Sequence, residues 1–226
     1  MRRPDPVART VLDAYRSCGR RAAWHTELRW RTCPFAEVER LVPTEGDVLD
    51  LGCGHGHFAA YLARQAAGRR VHGVDVDAGK VSLGTDALAR AGLADRVDLS
   101  IVDSGWVPSP GAYDAIVVAD VLYLLGRERA RIVLGALIDA LRPGGTIVVK
   151  EMGSTPAWKA RVNQAQERLA VGVLGITAGD EVAVLRERDI EGPMRAAGLV
   201  VTTHRLDRGY PHAHLAVVGE RVEVPA

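Results

Sequence analysis

The sequence predicts an α/β fold, in which a mostly parallel seven-stranded sheet has helices on both faces, a C-terminal antiparallel hairpin and an N-terminal helical cap. Short apolar runs rich in Val, Ile and Leu alternate with helical patterns, which is typical of parallel strands joined by helices. The last two runs are separated by only about eight residues around Gly209–Pro211, too few for a parallel crossover. A helical stretch over residues 7–40 precedes the first run.

The elements follow one another in a regular order. Predicted strands span residues 47–52, 71–75, 97–102, 113–119, 145–150, 199–205 and 214–219. The helix that starts near Arg127 has apolar residues three and four apart, and the Arg142–Gly145 turn (RPGG) ends it. An inserted helix is predicted at about 156–171, with Pro156 at its start and Trp158 on its apolar face.

Length and composition bound the class of protein. Of 226 residues, 47% are hydrophobic and 25% charged, the balance of a globular chain with a sizeable core. We expect a helical cap over residues 1–42 and one domain over residues 43–226. No stretch has the roughly 18 to 20 apolar residues that span a bilayer, and residues 1–6 lack the apolar run of a signal peptide. We therefore expect a cytoplasmic protein without a membrane span.

Cysteines and charge narrow the possible partners. Cys18, Cys33 and Cys53 form neither a CxxC pair nor a Cys/His ligand cluster, which indicates reduced thiols. Residues 1–42 carry nine Arg against five Asp and Glu, although the net charge of the chain is only +1. On so short a segment, a solvated helix face explains the basic excess better than a nucleic-acid surface does. We therefore do not expect a nucleic-acid partner.

The most informative segment is residues 48–58, a strand that runs into a glycine-rich turn and then a helix. Gly52, Gly54 and Gly56 occupy every second position, where they let the backbone turn sharply and a ligand approach without meeting a Cβ atom. Beyond them, Asp75 ends the next strand, where a carboxylate can accept hydrogen bonds from both hydroxyls of a ribose. This combination predicts a nucleotide-like ligand at the carboxyl edge of the sheet.

These residues resemble the class I S-adenosylmethionine-dependent methyltransferases, which have a Rossmann-like fold. The first motif of that family is D-x-G-x-G-x-G, and Asp50, Gly52, Gly54 and Gly56 match it in full. Dinucleotide oxidoreductases instead use G-x-G-x-x-G, which would need a glycine at His57. The resemblance implies S-adenosyl-L-methionine as cofactor and S-adenosyl-L-homocysteine as product. It also implies that Asp50 lies near the ammonium of the methionine tail.

The resemblance extends over roughly residues 45–152 and implies further cofactor contacts where later strands end. Asp75 matches the ribose-binding acid, with Val76 beside the adenosine. Asp103, followed by Ser104, matches the acidic position that contacts the adenine amino group, and Asp120 begins the fourth motif. The implied cofactor-binding residues are Asp50, Gly52, Cys53, Gly54, Gly56, Asp75, Val76, Asp103, Ser104 and Asp120.

The chemistry of this cofactor requires positioning above all. Its sulfonium methyl is already activated, so transfer is an in-line displacement by a nucleophile held about 3 to 3.5 Å from the methyl carbon. A base is needed only where the acceptor loses a proton during attack. Candidate catalytic residues, each of which can also be interpreted as a packing residue, are Tyr15, His25, Tyr123, Lys150, Glu151 and His212. We interpret His55 and His57 as parts of the glycine-rich turn.

The residues around the fourth motif narrow the possible classes of methyl acceptor. Asp120–Tyr123 (DVLY) lacks the Asp/Asn-Pro-Pro-aromatic tetrapeptide of enzymes that methylate nucleobase or glutamine amines. No matching Asp-Asn pair follows it, as Mg²⁺-dependent catechol-type enzymes would have, so we expect no metal. We expect a small, apolar or aromatic acceptor, with Trp24, Trp30, Phe35 and the inserted helix as pocket walls.

Two alternatives stay open. An RNA or protein methyltransferase would use the basic N-terminal segment, and a binding protein could keep the cofactor fold without transferring a methyl group. Arg29 or Arg31 could also reach the methionine carboxylate. Either a monomer or a homodimer is compatible with the sequence.

Overall fold

The computed structural model describes residues 3–152, 185–210 and 212–222. Its strands are β1 (Glu45–Leu51), β2 (Gly68–Asp75), β3 (Val97–Ile101), β4 (Tyr113–Ala119), β5 (Leu141–Met152), β6 (Val200–Arg205) and β7 (His214–Glu220). They form one sheet in the order β3-β2-β1-β4-β5-β7-β6, in which β1 to β5 are parallel and β7 is antiparallel to both β5 and β6. The predicted fold class and hairpin are confirmed.

Three strands begin earlier than predicted, β1 at Glu45, β2 at Gly68 and β5 at Leu141. Residues 68–70 (GRR) belong to β2 because they pair with the start of β1, although they lack the apolar residues that indicate a strand. In β5, Leu141 pairs with Tyr113 and Thr146 with Ala115, with a shift of register between the two pairs. The turn predicted at residues 142–145 therefore lies inside β5 as an irregularity.

One face of the sheet is covered by the N-terminal half of the chain. Its helices are α1 (Pro6–Arg16), α2 (Arg20–Thr32), α3 (Phe35–Glu39), α4 (His57–Gln65) and α5 (Ala78–Arg90). Helix α1 begins where the sequence provides a cap, since the Ala8 amide donates to Asp5 Oδ1 at 2.8 Å and Pro6 needs no donor there. Leu12 and Tyr15 are buried in the same core as Val48 of β1. The first helices therefore share the hydrophobic core of the sheet.

The other face is covered by a 3₁₀ helix (Leu122–Leu125), α6 (Arg127–Asp139) and α7 (Glu187–Ala196). Leu134, Ile190 and Met194 pack with the apolar side chains of β4, β5 and β7. The predicted helix at 156–171 lies outside the described residues. Within the described ranges, no helix has both the length and the apolar character needed to cross a bilayer.

Candidate active site

The glycine-rich turn joins β1 to α4 at the carboxyl edge of the sheet. Gly52, Gly54 and Gly56 all have positive φ angles, of 72°, 55° and 68°, which side chains other than glycine rarely adopt. A Cβ atom at Gly52 would clash with Val121, so packing also requires this glycine. A Cβ atom at Gly54 would meet only Lys80 Cδ at 3.9 Å. The turn is therefore open above Gly54.

Asp75 holds this turn against the end of β2. The Gly54 amide donates to Asp75 Oδ2 at 2.7 Å, and the Asp77 amide donates to Asp75 Oδ1 at 2.9 Å. The Gly52 and Cys53 amides both donate to the Val74 carbonyl. The Asp75 carboxylate is thus fixed at the edge of the sheet, and each of its oxygens can accept a further hydrogen bond.

Asp50 lies below the turn, at the end of β1. It is 2% exposed, and its Oδ2 atom is buried without a hydrogen-bond partner among the described residues. Burial, together with the charge of Asp75, raises the pKa of the Asp50 carboxyl to about 7. A buried carboxyl with an unsatisfied oxygen is costly unless a ligand provides a donor or a positive charge.

Three other predicted cofactor residues lie at the same edge and face solvent. Val76 follows Asp75 and is 64% exposed. Asp103 and Ser104 follow β3 and are exposed, and the Gly105 amide donates to Asp103 Oδ1 at 2.6 Å. The fold thus brings the ends of β1, β2 and β3 together, as the parallel sheet predicts.

Asp120, at the end of β4, is the centre of a buried ionic cluster. It is the one non-glycine residue with a positive φ angle, 59°, in the described part of the chain. Its Oδ1 accepts from Lys150 Nζ at 2.5 Å and its Oδ2 from Arg29 Nη2 at 3.1 Å. Burial alone would raise the pKa of the Asp120 carboxyl, but the two cations outweigh burial and hold the pKa below its ordinary value. Asp120 is therefore ionised and fixed in a strained turn.

The two candidate bases at the end of β5 have different environments. Lys150 is fully buried, and its ammonium is bound to Asp120. Glu151 is 3% exposed and its Oε1 accepts from the Leu122 amide at 2.9 Å. Burial, with the nearby charge of Asp120, raises the pKa of Glu151 to about 8. Glu151 is therefore mostly protonated at pH 7, and it ties the 3₁₀ helix to β5.

A histidine that the sequence reasoning missed, His214, adjoins this cluster. Its Nε2 lies 2.8 Å from the Thr32 carbonyl oxygen. Because a carbonyl only accepts, Nε2 carries the proton and Nδ1 has a free lone pair, which is buried and without a partner in the described residues. Burial lowers the pKa of His214 to about 3. The predicted His212 is half-buried beside it, with ring centroids 5.9 Å apart.

The N-terminal helices contact the glycine-rich turn directly. The Tyr15 hydroxyl donates to the His55 carbonyl at 2.6 Å, and Tyr15 itself is 1% exposed. The His25 and His55 rings lie 5.0 Å apart, and burial together with His55 lowers the pKa of His25 to about 4. Both residues therefore lie near the turn. Tyr15 holds the turn through a hydrogen bond, and the His25 ring is neutral at pH 7.

Of the three aromatic residues predicted as pocket walls, two lie in the hydrophobic core instead. Trp30 and Phe35 are 5% and 3% exposed and pack in the core against Tyr61 and Phe58. Helical spacing did not reveal which face of α2 meets the sheet. Trp24, by contrast, is 67% exposed. Among the described residues, no group of three or more His, Cys, Asp or Glu side chains is arranged to hold a metal ion.

Comparison with known proteins identifies a domain in the middle of the chain. Residues 48–145 match the model of a methyltransferase domain. A structure of an O-methyltransferase family protein from Burkholderia thailandensis has the same fold, with a TM-score of 0.68 at 20% identity over 93% of this chain and 63% of that one. The chain contains a methyltransferase domain over residues 48–145, and its fold is that of S-adenosylmethionine-dependent methyltransferases. The resemblance drawn from the motifs, and with it the cofactor of the superfamily, is confirmed.

Curated methyltransferases match part of the chain. It is 31% identical over 101 residues to a probable fatty acid methyltransferase from Pseudomonas putida. It is 30% identical over 106 residues to a 3-hydroxy-5-methyl-1-naphthoate 3-O-methyltransferase from Streptomyces sahachiroi. These matches cover 45% and 46% of this chain, but only 25% and 30% of the two relatives.

The carboxyl edge of this methyltransferase domain fits S-adenosyl-L-methionine. The space above Gly54 admits a ligand close to the backbone. The fixed Asp75 carboxylate suits ribose hydroxyls, and the unpartnered Oδ2 of Asp50 suits an ammonium group. The individual contacts stay predictions, and they are consistent with the donors and acceptors that line the edge.

Proposed function

We propose that this protein transfers the methyl group of S-adenosyl-L-methionine to a small, apolar or aromatic acceptor. The observation that carries the proposal is the open turn at Gly54, with the fixed carboxylate of Asp75 on one side and the unsatisfied oxygen of Asp50 below it. The names of the two curated relatives, which give a fatty acid and a naphthoate as acceptors, support this class of acceptor.

The chain's own residues would hold the cofactor along the ends of β1, β2 and β3. Asp75 accepts from the ribose hydroxyls while keeping its bonds to the turn, and Asp103 accepts from the adenine amino group. Val76 gives the adenosine an apolar surface. Asp50 accepts from the ammonium of the methionine tail, which offsets the cost of its burial. The bound cofactor supplies an activated, electrophilic methyl group.

Asp120 shapes the acceptor side of the site. Its strained turn, fixed by Lys150 and Arg29, sets the path of the 3₁₀ helix that carries Tyr123. Glu151 fixes the same helix through the Leu122 amide. We assign Lys150 and Glu151 as positioning residues, because the ammonium of one and the Oε1 atom of the other are bonded to the turn. Tyr123, His25 and His212 remain the candidate acid or base groups.

The charges on the acceptor side of the site, around Asp120, favour a neutral or anionic acceptor. Arg29 and Lys150 are two cations, whereas Asp120 is one firmly ionised carboxylate. Glu151 is mostly protonated and His214 is neutral at pH 7. The resulting positive balance would repel a cationic acceptor and would stabilise a phenolate or carboxylate.

The test compares Asp75→Asn with Asp86→Asn, the same change at an exposed position on α5. Charge-assisted hydrogen bonds imply a loss of about 2 to 4 kcal/mol in cofactor binding for Asp75→Asn, and the Asp86 variant should bind normally. Calorimetric titration with S-adenosyl-L-homocysteine measures the difference. Equal affinities would show that the ribose is bound elsewhere.

Activity is then tested by searching a metabolite extract by mass spectrometry for compounds that gain one methyl group only with enzyme and cofactor. The RNA alternative predicts a different result, since phosphate contacts make binding fall steeply with salt. Methylated RNA and a steep salt dependence would replace the small-molecule proposal. Cofactor binding with no product in either fraction would favour the non-catalytic alternative.

A further inference from the structure

Helix α2 has an exposed face on the side opposite its buried residues. Ala22, Thr26 and Trp30 bury one side of the helix. The opposite side forms a single exposed stripe, the α2 stripe, which consists of Arg20, Arg21, Trp24, Leu28 and Arg31. An exposed tryptophan at the centre of such a stripe is unusual, because large apolar side chains seldom face water in contiguous groups.

Helix α2, which carries the α2 stripe, is itself bonded to the carboxyl edge of the sheet. The same helix carries Arg29, which bonds to Asp120 at the carboxyl edge. Two more large apolar side chains are exposed at that edge, Val76 after β2 and Leu124 in the 3₁₀ helix, with 64% and 44% of their surface accessible. Exposed apolar side chains therefore occur both on α2 and at the carboxyl edge.

The charges of the α2 stripe indicate which type of partner surface would cover it. Arg20 and Arg21 make no ion pair with another residue in the described ranges. Arg31 pairs with Glu27 at 2.7 Å on the same helix. Tryptophan and leucine flanked by arginines are suited to a surface that is anionic at its headgroups and apolar below them.

We propose that the α2 stripe docks this protein on an anionic lipid surface, with Trp24 and Leu28 entering the interface and Arg20 and Arg21 contacting the headgroups. The stripe fits a second copy of the chain poorly, because a symmetric contact would bring four unpaired arginines together. The stripe also fits nucleic acid poorly, because the Leu28 side chain has no donor or charge that could bind a phosphate. The proposal goes beyond methyl transfer and does not depend on it.

Vesicle sedimentation tests the proposal with the whole 226-residue chain and without cofactor. The wild type should bind vesicles made of equal parts of phosphatidylglycerol and phosphatidylcholine, and should bind pure phosphatidylcholine much more weakly. The double variant Trp24→Ser/Leu28→Ser should bind on the order of tenfold more weakly. The control is Ile132→Ser, which removes an apolar side chain that is 57% exposed on α6, on the other face of the sheet.

The double variant Arg20→Gln/Arg21→Gln measures how much charge contributes to vesicle binding, separately from the insertion of apolar side chains. Each lost arginine should weaken binding to anionic vesicles about fivefold, and the remaining binding should depend less on salt. Circular dichroism checks that the variants keep their fold, as expected for exposed positions. Absence of vesicle binding by the wild type would overturn the proposal, as would equal binding by all variants. So would a dimer that Trp24→Ser dissociates in sedimentation velocity, or a preference for RNA over vesicles.

Discussion

Replacing Lys150 by Met should destabilise the protein far more than the same replacement at a surface ion pair. Lys150 has no exposed surface, and its ammonium bonds to an Asp120 side chain that is 7% exposed. Methionine has a similar length and fits an apolar core, so the variant removes the charge with little change in volume. Asp120 would keep Arg29 as its partner but lose the closer of its two cations.

The size of the effect follows from burial. Removing one partner of a buried ion pair leaves a poorly compensated charge and costs about 3 to 5 kcal/mol. In a domain of this size, that loss lowers the melting temperature by about 6 to 20 °C. Lys80 provides the control, since it pairs with Asp77 at 3.2 Å but both side chains are more than 40% exposed. Lys80→Met should cost about 0 to 1 kcal/mol.

Chemical denaturation of both variants at pH 7 measures these differences. Asp120→Asn/Lys150→Met should be more stable than Lys150→Met alone, because the double variant has no buried carboxylate left to compensate. If Lys150→Met were as stable as Lys80→Met, the Asp120 carboxylate would not depend on Lys150, and the cluster described here would be wrong.

Two further predictions concern pH. The pKa of Glu151 is raised from 4.5 to about 8, so its contribution to stability is complete below pH 4.5 and is lost as the pH rises towards 8. In denaturation curves, Glu151→Gln should flatten this decline of stability with pH. An unchanged slope would contradict the raised pKa of Glu151. Burial holds the pKa of His57 well below 6.5, so stability is lost as the pH falls below 6.5. Both His57 ring nitrogens are buried without partners in the described residues. His57→Phe should therefore be at least as stable as the wild type at pH 7, and its advantage should grow below pH 6.5. Melting temperatures of the two proteins that fall in parallel would refute this prediction.

The cofactor edge was predictable because its signals are local. A strand, three alternating glycines and a helix are contiguous in residues 48–58, and positive φ angles explain why glycine is needed there. Asp75 was predictable because parallel strands end at one edge, whatever the details of packing. The terminal hairpin was predictable from the length of its connection alone.

The acceptor side was not predictable in the same way, because its contacts join distant parts of the chain. Arg29 and Asp120 are far apart in sequence, and no local pattern pairs them. His214 could have been found from register, since it pairs with Met152 next to Glu151, but strand order had to be known first. Trp30 was misassigned because α2 has apolar residues on both faces. Phe35 begins the short helix α3, and it packs against Phe58, which is distant in sequence.

The carboxyl groups at the edge of the sheet differ in charge because their neighbours differ. Asp50 has no cation beside it, so burial and Asp75 raise its pKa to about 7. Asp120 has two cations and stays ionised. A buried carboxyl without a cation beside it therefore lies below the glycine-rich turn, and positive charge collects beside the 3₁₀ helix. A cofactor with an ammonium group and an acceptor without a positive charge are the pair that this separation stabilises, because each would meet the opposite or a neutral potential at its own end of the site.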